Sequence, residues 1–435
     1  MNVLILGASG YLGGHVTEAL LASGHHVTAG IRSTADLNFR SDNIRLLRGD
    51  ICDADFVHTA LAGQDAVIFS AGQTWSPGVA ASQYTIGNVD ITKSFFAATR
   101  SRRRLRIVFT SSLSTIGGTR DAIVCTESPN HVDVCQPRLN PYDVAKIECE
   151  RIAAQAADDG QDVVILNPGL MIGPGASCGS KLPPPFIALW VMQGKCPFLV
   201  DSLTTFCDVR DVAISHVAAL RRGASGNRYI LGGHNINRSE FYRCLAELSG
   251  TRCPRTIPNA LLTGLAFLTD SLQWLSRGQL ISPLDRRFAK SQSLHYCGDS
   301  SKAMTALAYT SRPLQQSMLD MLRQEVELRR LPPRFDYLRQ MNMDNHREML
   351  LLRQLACASA NSNWLLPRLS QLLEACQTNT VLREALAALS DSSHFNVRRA
   401  RFQWPRRVCS VEHKRLQLFL EYVFFSSDQF LGEVL

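Results

Sequence analysis

Tyr142 and Lys146 stand four residues apart in the run "LNPYDVAKIECE", and such a pair can move a proton. Asn140 can cap a helix and Pro141 suits its first turn, so the phenol and the ammonium share one helical face. A lysine ammonium beside a phenol favours the phenolate and lowers its pKa toward working pH. Tyr142 is then a proton donor and acceptor for a carbonyl/alcohol couple. None of the other tyrosines has a lysine four residues further on. A second set of hydroxyls closes "IVFTSSLSTIGG". Ser111, Ser112 and Ser114 either cap the end of a strand or face a ligand there, because open α/β sheets bind ligands at the carboxyl ends of their strands.

A third group opens the chain. In "VLILGASGYLGGHV" an apolar run ends in Gly7, Gly10 and Gly13, with Ser9, Tyr11 and Leu12 between them. The first glycine permits a tight turn, the second lets a pyrophosphate approach the backbone, and the third lets helix and strand pack closely. The helix start supplies N–H groups and a partial positive charge to the phosphate. A strand-to-helix turn that merely needs glycine is the plainer alternative. At the end of the next strand, in "HHVTAGIRS", Arg32 stands where NAD-binding domains usually carry an acidic residue for the ribose hydroxyls. Arginine suits a 2′-phosphate instead.

These residues need a scaffold, and the hydrophobic pattern predicts one. Short β-branched runs at Val3–Leu6, His26–Gly30, Ile44–Arg48, Ala66–Ser70, Arg106–Ser111 and Val163–Leu166 alternate with helical periodicity at Leu12–Leu21, Asp53–Leu61, Val89–Thr99 and Tyr142–Ala157. That rhythm argues a parallel sheet wrapped by helices. The expected fold is α/β: a Rossmann-type doubly wound sheet over residues 1–170, a smaller substrate domain over 171–330 interleaved with it, and a helical extension over 331–435. With 435 residues, 45% hydrophobic content and a net charge of +8, the chain reads as a soluble protein of two or three domains that can take anionic ligands. Its thirteen cysteines form no CxxC pair and read as reduced thiols in the cytoplasm. The apolar stretch Ala260–Leu275 is broken by Asp270, too early to span a bilayer, although surface contact with a membrane stays open.

The ordered motifs resemble the extended short-chain dehydrogenase/reductase family, in its dihydroflavonol-reductase-like and 3β-hydroxysteroid-dehydrogenase-like branch of the epimerase/dehydratase superfamily. Besides the glycine triplet and "YDVAK", they include Gly49–Ile51, "NVDIT" at Asn88–Thr92, "TSS…G" at Thr110–Gly117, "NPGLMIGPG" at Asn167–Gly175, "CDVRDVA" at Cys207–Ala213 and Asp299–Leu314. The resemblance implies a catalytic trio of Ser112, Tyr142 and Lys146. Ser112 is preferred to Ser111 because it precedes Gly117 by the family's spacing. A nicotinamide cofactor would contact Asp50 and Ile51 beside the adenine, Ala71 and Gly72 after the fourth strand, and Pro168, as well as Tyr142 and Lys146. Arg32 favours NADP(H) over NAD(H). Two positions depart from the family: Asn167 replaces an arginine common in the related reductases, and Ile91 stands where glycine is frequent.

The expected reaction is hydride transfer between the nicotinamide and a ketone or secondary alcohol on a fairly apolar small molecule. The pocket walls would come from "GQTWSPG", with Trp75, and from "KLPPPFIALW", with Phe186 and Trp190. A nucleotide-sugar epimerase or dehydratase is the alternative enzyme, although "ILNPGLMIG" stands where sugar-nucleotide epimerases of the superfamily usually show an arginine-tyrosine-phenylalanine-asparagine run, and the diphosphate-binding asparagine that ends that run is absent. A non-catalytic dinucleotide-sensing regulator is a third reading, which the Tyr142–Lys146 pair opposes. The stretch "NVRRARFQWPRRV" interleaves arginines with aromatics, as single-stranded nucleic-acid sites do. It reads better as a solvated loop or a docking surface, with no nucleic acid expected, and a homodimer stays open.

Overall fold

The computed structural model describes residues 1–32, 41–75, 79–102, 104–128, 140–176, 198–249, 251–275, 289, 292 and 294–331. Met1–Arg243 with Cys253–Met321 form one compact unit, and Cys244–Arg252 with Leu322–Leu435 form another. In the second unit, Arg330 Nη1 donates to Glu325 Oε1 at 3.0 Å. Everything past Leu331, including the arginine-rich stretch, lies outside the described residues.

The first unit is built on seven parallel strands: β1 (Asn2–Leu6), β2 (His26–Ile31), β3 (Ile44–Arg48), β4 (Ala66–Phe69), β5 (Arg106–Thr110), β6 (Asp162–Pro168) and β7 (Arg228–Leu231). Their order across the sheet is β7-β6-β5-β4-β1-β2-β3. Side chains alternate across the pleat, so each strand feeds two cores. Val3 and Ile5 pack with Leu12, Val16 and Leu20 of helix α1 (Tyr11–Ala22). Leu4 and Leu6 join Phe56 of α2 (Ala54–Ala60), Phe95 and Phe96, and Ala145, Cys149 and Ala153 on the opposite face. This is the doubly wound, Rossmann-like sheet that the alternation predicts.

The seventh strand was not foreseen. Arg228–Leu231 lies where the alternating rhythm fades, yet it pairs in parallel with β6, Arg228 opposite Ile165. The helix expected over Val89–Thr99 also starts earlier: α3 (Ala81–Tyr84) passes through a π turn at Thr85–Asp90 into α4 (Ile91–Thr99). Inside that turn buried Asn88 donates through Nδ2 to the carbonyls of Tyr84 and Gln73, each at 3.1 Å.

A smaller sheet has Leu203–Asp208 at its centre, paired antiparallel with His234–Asn237 and parallel with Leu170–Ile172. The apolar stretch at Ala260 falls in the helix Asn259–Leu275, which buries Leu262 and Ala266 and exposes Leu261, Phe267 and Leu268. Among the described residues no helix is long and apolar enough to cross a membrane.

Candidate active site

The glycine turn shows what each glycine does. Gly7 has φ +98°, and a Cβ on it would lie 2.7 Å from the Ala71 nitrogen, so it lets the end of β1 lie against the end of β4. A Cβ on Gly13 would sit 1.9 Å from the Gly7 carbonyl oxygen, so helix α1 can leave the strand this closely only with glycine there. Gly10 caps α1 without a side chain, and no acidic residue occupies the helix's first turn. A Cβ there would meet only the Gly7 oxygen, at 3.2 Å. A bare helix start of this kind fits a dinucleotide pyrophosphate. Ser9 is exposed, while Leu12 is buried in the core beneath the turn. The Tyr11 hydroxyl donates to the Gly173 carbonyl at 2.7 Å, and His15 Nε2 lies 2.9 Å from the Pro174 carbonyl. Together they moor α1 to the loop after Leu170–Ile172.

The other cofactor candidates follow the carboxyl ends of neighbouring strands. Arg32 is exposed just past β2, and its carbonyl accepts from Arg48 Nε at 3.2 Å. Asp50, also exposed, accepts the Cys52 N–H at 2.9 Å, and Ile51 packs on the core. Ala71 and Gly72 follow β4, and a Cβ on Gly72 would meet Asn88 Oδ1 at 2.7 Å. Pro168 is buried at the end of β6. Trp75 is half-buried. Phe186, Trp190 and the rest of "KLPPPFIALW" lie outside the described residues.

Helix α5 (Pro141–Asp158) carries Tyr142 and Lys146, with Asn140 Oδ1 capping the Asp143 N–H at 2.9 Å. The Ser112 side chain lies near enough to the Tyr142 hydroxyl to hold its pKa down, and the Tyr84 ring meets Tyr142 edge-on at 6.0 Å. Ser112 half-caps the short turn Leu113–Thr115 that follows β5, its Oγ accepting from the Ser114 N–H at 3.2 Å. Lys146 Nζ, by contrast, donates to the Thr110 carbonyl at 2.9 Å and stands 5.6 Å from the centre of the Phe109 ring.

The expected acidification of the phenol does not occur in this geometry. Burial pushes Tyr142 up to about 12, against the Ser112 hydrogen bond that lowers it, and the neighbouring Asp143 carboxyl raises it further. Burial also brings Lys146 below the ordinary lysine range, with Cys149 and Glu150 pulling it back up. The shift comes from desolvation, which spacing could not reveal, and the ammonium is not among its causes. Asp143, likewise buried, is raised to about 6.

Three further groups escaped the sequence reading. Glu150 lies one turn past Lys146 and is buried. Its Oε2 accepts from the Ser111 hydroxyl, from Thr115 Oγ1 at 2.6 Å and from Asn167 Nδ2 at 2.7 Å. Its Oε1 pairs with Arg228 Nη1 at 3.1 Å. Asn167, the departure that sequence could not explain, is therefore a donor at the centre of this cluster. His216, on helix α6 (Val209–Arg222), places Nδ1 2.8 Å from the Val212 carbonyl and Nε2 2.9 Å from Thr110 Oγ1. Its Nδ1 must then carry the proton, and burial lowers it to about 4. The i, i+4 continuation from Tyr142 through Lys146 to Glu150 was a readable signal for the first of these. The other two come from distant strands and helices.

The family model described as the NAD dependent epimerase/dehydratase family matches residues 3–232. A protein of Synechocystis sp. provisionally named dihydroflavonol 4-reductase is 29% identical, covering 73% of this chain and 92% of its own length. The 4-hydroxy-2-methyl-3-oxo-4-farnesyl-3,4-dihydroquinoline-1-oxide ketoreductase of Stigmatella aurantiaca is 28% identical, over 74% of this chain and 96% of its own. A nucleoside-diphosphate-sugar epimerase from Pseudomonas aeruginosa superposes with a TM-score of 0.60 at 23% identity, over 76% and 99% of the two chains, a likeness of fold. The chain thus belongs to the NAD dependent epimerase/dehydratase family, among the extended short-chain dehydrogenases/reductases, and is an NAD(P)-dependent enzyme of the CH–OH/C=O couple.

Proposed function

We propose that the protein is an NADP(H)-dependent oxidoreductase that interconverts a ketone and a secondary alcohol on a fairly apolar small molecule. The observation that carries this reading is that Ser112, just past the carboxyl end of β5, and Tyr142 of α5 come together, with Lys146 one turn along the same helix. The bound nicotinamide would supply or accept the hydride. A phenol held near 12 stays protonated through neutral pH, so Tyr142 can give its proton to a ketone oxygen as negative charge develops there. Ser112 shares the task by hydrogen-bonding the same oxygen. Lys146, which donates to the Thr110 carbonyl, would hold the nicotinamide ribose. Arg32, exposed past β2, supports NADP(H), since a guanidinium pairs well with a phosphate. The ketoreductase name of one relative points to the same reaction class.

The test is NADPH oxidation by the purified protein against a panel of apolar ketones, with Tyr142→Phe alongside. Net NADPH consumption by the wild type is expected. In the variant, turnover should fall by about 100-fold or more while NADPH affinity stays within about threefold, because the phenyl ring keeps the packing. Conversion of a nucleotide sugar without net change in NADPH would instead establish the epimerase reading.

A further inference from the structure

Ser112 is held by far more than its own turn. Its carbonyl oxygen accepts from the Thr115 N–H at 3.1 Å and from Asn167 Nδ2 at 3.2 Å, and lies 2.7 Å from Thr115 Oγ1, whose single proton it shares with Glu150. The same Asn167 nitrogen reaches Thr115 Oγ1 at 2.9 Å and Glu150 Oε2 at 2.7 Å. Glu150 also takes the Ser111 hydroxyl, the residue just before Ser112. Thus one carboxylate on α5 binds both flanks of Ser112, while Tyr142 projects from the same helix two turns earlier.

The arrangement costs stability. Glu150 and Asn167 are 6% and 0% exposed, and Asn167 Oδ1 is buried without a hydrogen-bond partner. A buried polar atom left unmatched is unfavourable. Arg228 offsets the carboxylate's charge, and it is itself tied to the Glu127 carbonyl at 2.7 Å. An apolar plug of the same shape would hold β5 against α5 more cheaply. It would not set the orientation of the Ser112 backbone.

We infer that Glu150 and Asn167 are positioning residues: together they lock the Ser111–Thr115 turn to α5 so that the Ser112 hydroxyl meets Tyr142 in reactive register. Neither touches the substrate. The inference rests on the functional reading above, because it gives Ser112 a task in the reaction. A displacement of about 1 Å in a reacting group costs on the order of a hundredfold in rate, which sets the scale of the effect.

The test is a double-mutant cycle on kcat for ketone reduction, with Glu150→Gln and Asn167→Leu each placed in the wild-type and Ser112→Ala backgrounds. If the clamp acts through Ser112, each change lowers kcat by about tenfold or more in the wild type. It then costs less than about twofold once the Ser112 hydroxyl is gone. NADPH Kd should stay within about threefold throughout, since neither residue lies at the glycine turn. Equal losses in both backgrounds, or wild-type kcat in the folded variants, overturn the inference. Asn167→Leu carries the test alone if Glu150→Gln does not fold, because it leaves the Glu150–Arg228 charge pair in place. Tyr142→Phe runs beside the cycle: if it is inactive while the cycle is additive, only the clamp fails. If it turns over at the wild-type rate, the functional reading fails and the clamp with it.

Discussion

The proposed chemistry turns on a phenol whose proton is hard to remove. With Tyr142 pushed up to about 12, the form that donates a proton dominates at neutral pH, while the phenolate that would accept one from an alcohol is scarce. Ketone reduction should therefore be flat through the neutral range, and alcohol oxidation should climb steadily with pH. Asp143 contributes to this, because its carboxyl raises the phenol. Asp143→Asn is expected to shift the alkaline limb of the oxidation profile to lower pH and to leave the plateau of reduction in place. An unmoved oxidation limb would show that Asp143 has no hold on the phenol. The Tyr142–Lys146 spacing was legible because a helix converts four residues into one turn. The direction of the phenol's shift was not, because it depends on what covers Tyr142. The same limit applied to the serines: only the fold shows that Ser111 faces Glu150 and Ser112 faces Tyr142.

At the scale of elements, the proposed cofactor preference rests on strand ends. Arg32 follows β2, and Arg48 at the end of the adjoining β3 reaches back to its carbonyl. A charge-assisted hydrogen bond contributes about 1.5–3 kcal/mol, so one guanidinium on the 2′-phosphate gives roughly a tenfold to hundredfold preference. Arg32→Asp should invert the ratio of NADPH to NADH affinity, as read by titrating both cofactors. Equal affinity of the wild type for the two would remove Arg32 from this role. The alternating strands and helices were readable from Met1 to the end of β6 because each strand is followed by a helical pattern. β7 and the π turn were not. The first lies past residue 171, where that alternation breaks off, and the second is set by Asn88 reaching the Gln73 carbonyl across the fold.

Across the whole molecule, two buried groups set opposing responses to acid. The folded Asp143 carboxyl is raised from 3.8 to about 6, so folding favours its protonated form and stability is lost as pH rises through that window. His216 is lowered from 6.5 to about 4, so folding favours its neutral form and stability is lost as pH falls from 6.5 toward 4. Each is worth about 3 kcal/mol at full extent, and between pH 4 and 6 they nearly cancel. Relative to the wild type, Asp143→Asn should gain stability at pH 8 and lose that gain by pH 4. His216→Gln should fare better relative to the wild type at pH 4 than at pH 8. Urea titrations at both pH values measure the two differences, and parallel profiles for all three proteins would show that neither group titrates as described. The order of the chain adds a last consequence. Arg228 follows its partner Glu150 by 78 residues, so on the ribosome Tyr142, Lys146 and both serines emerge well before the cation that neutralises Glu150. Domains generally fold as units during synthesis, and here the reactive turn stays unlatched until β7 has been translated and docked. A nascent chain arrested before Arg228 carries every hydroxyl of the proposed site without the cation that pairs with Glu150, so on this reading competence arrives with the last strand of the sheet.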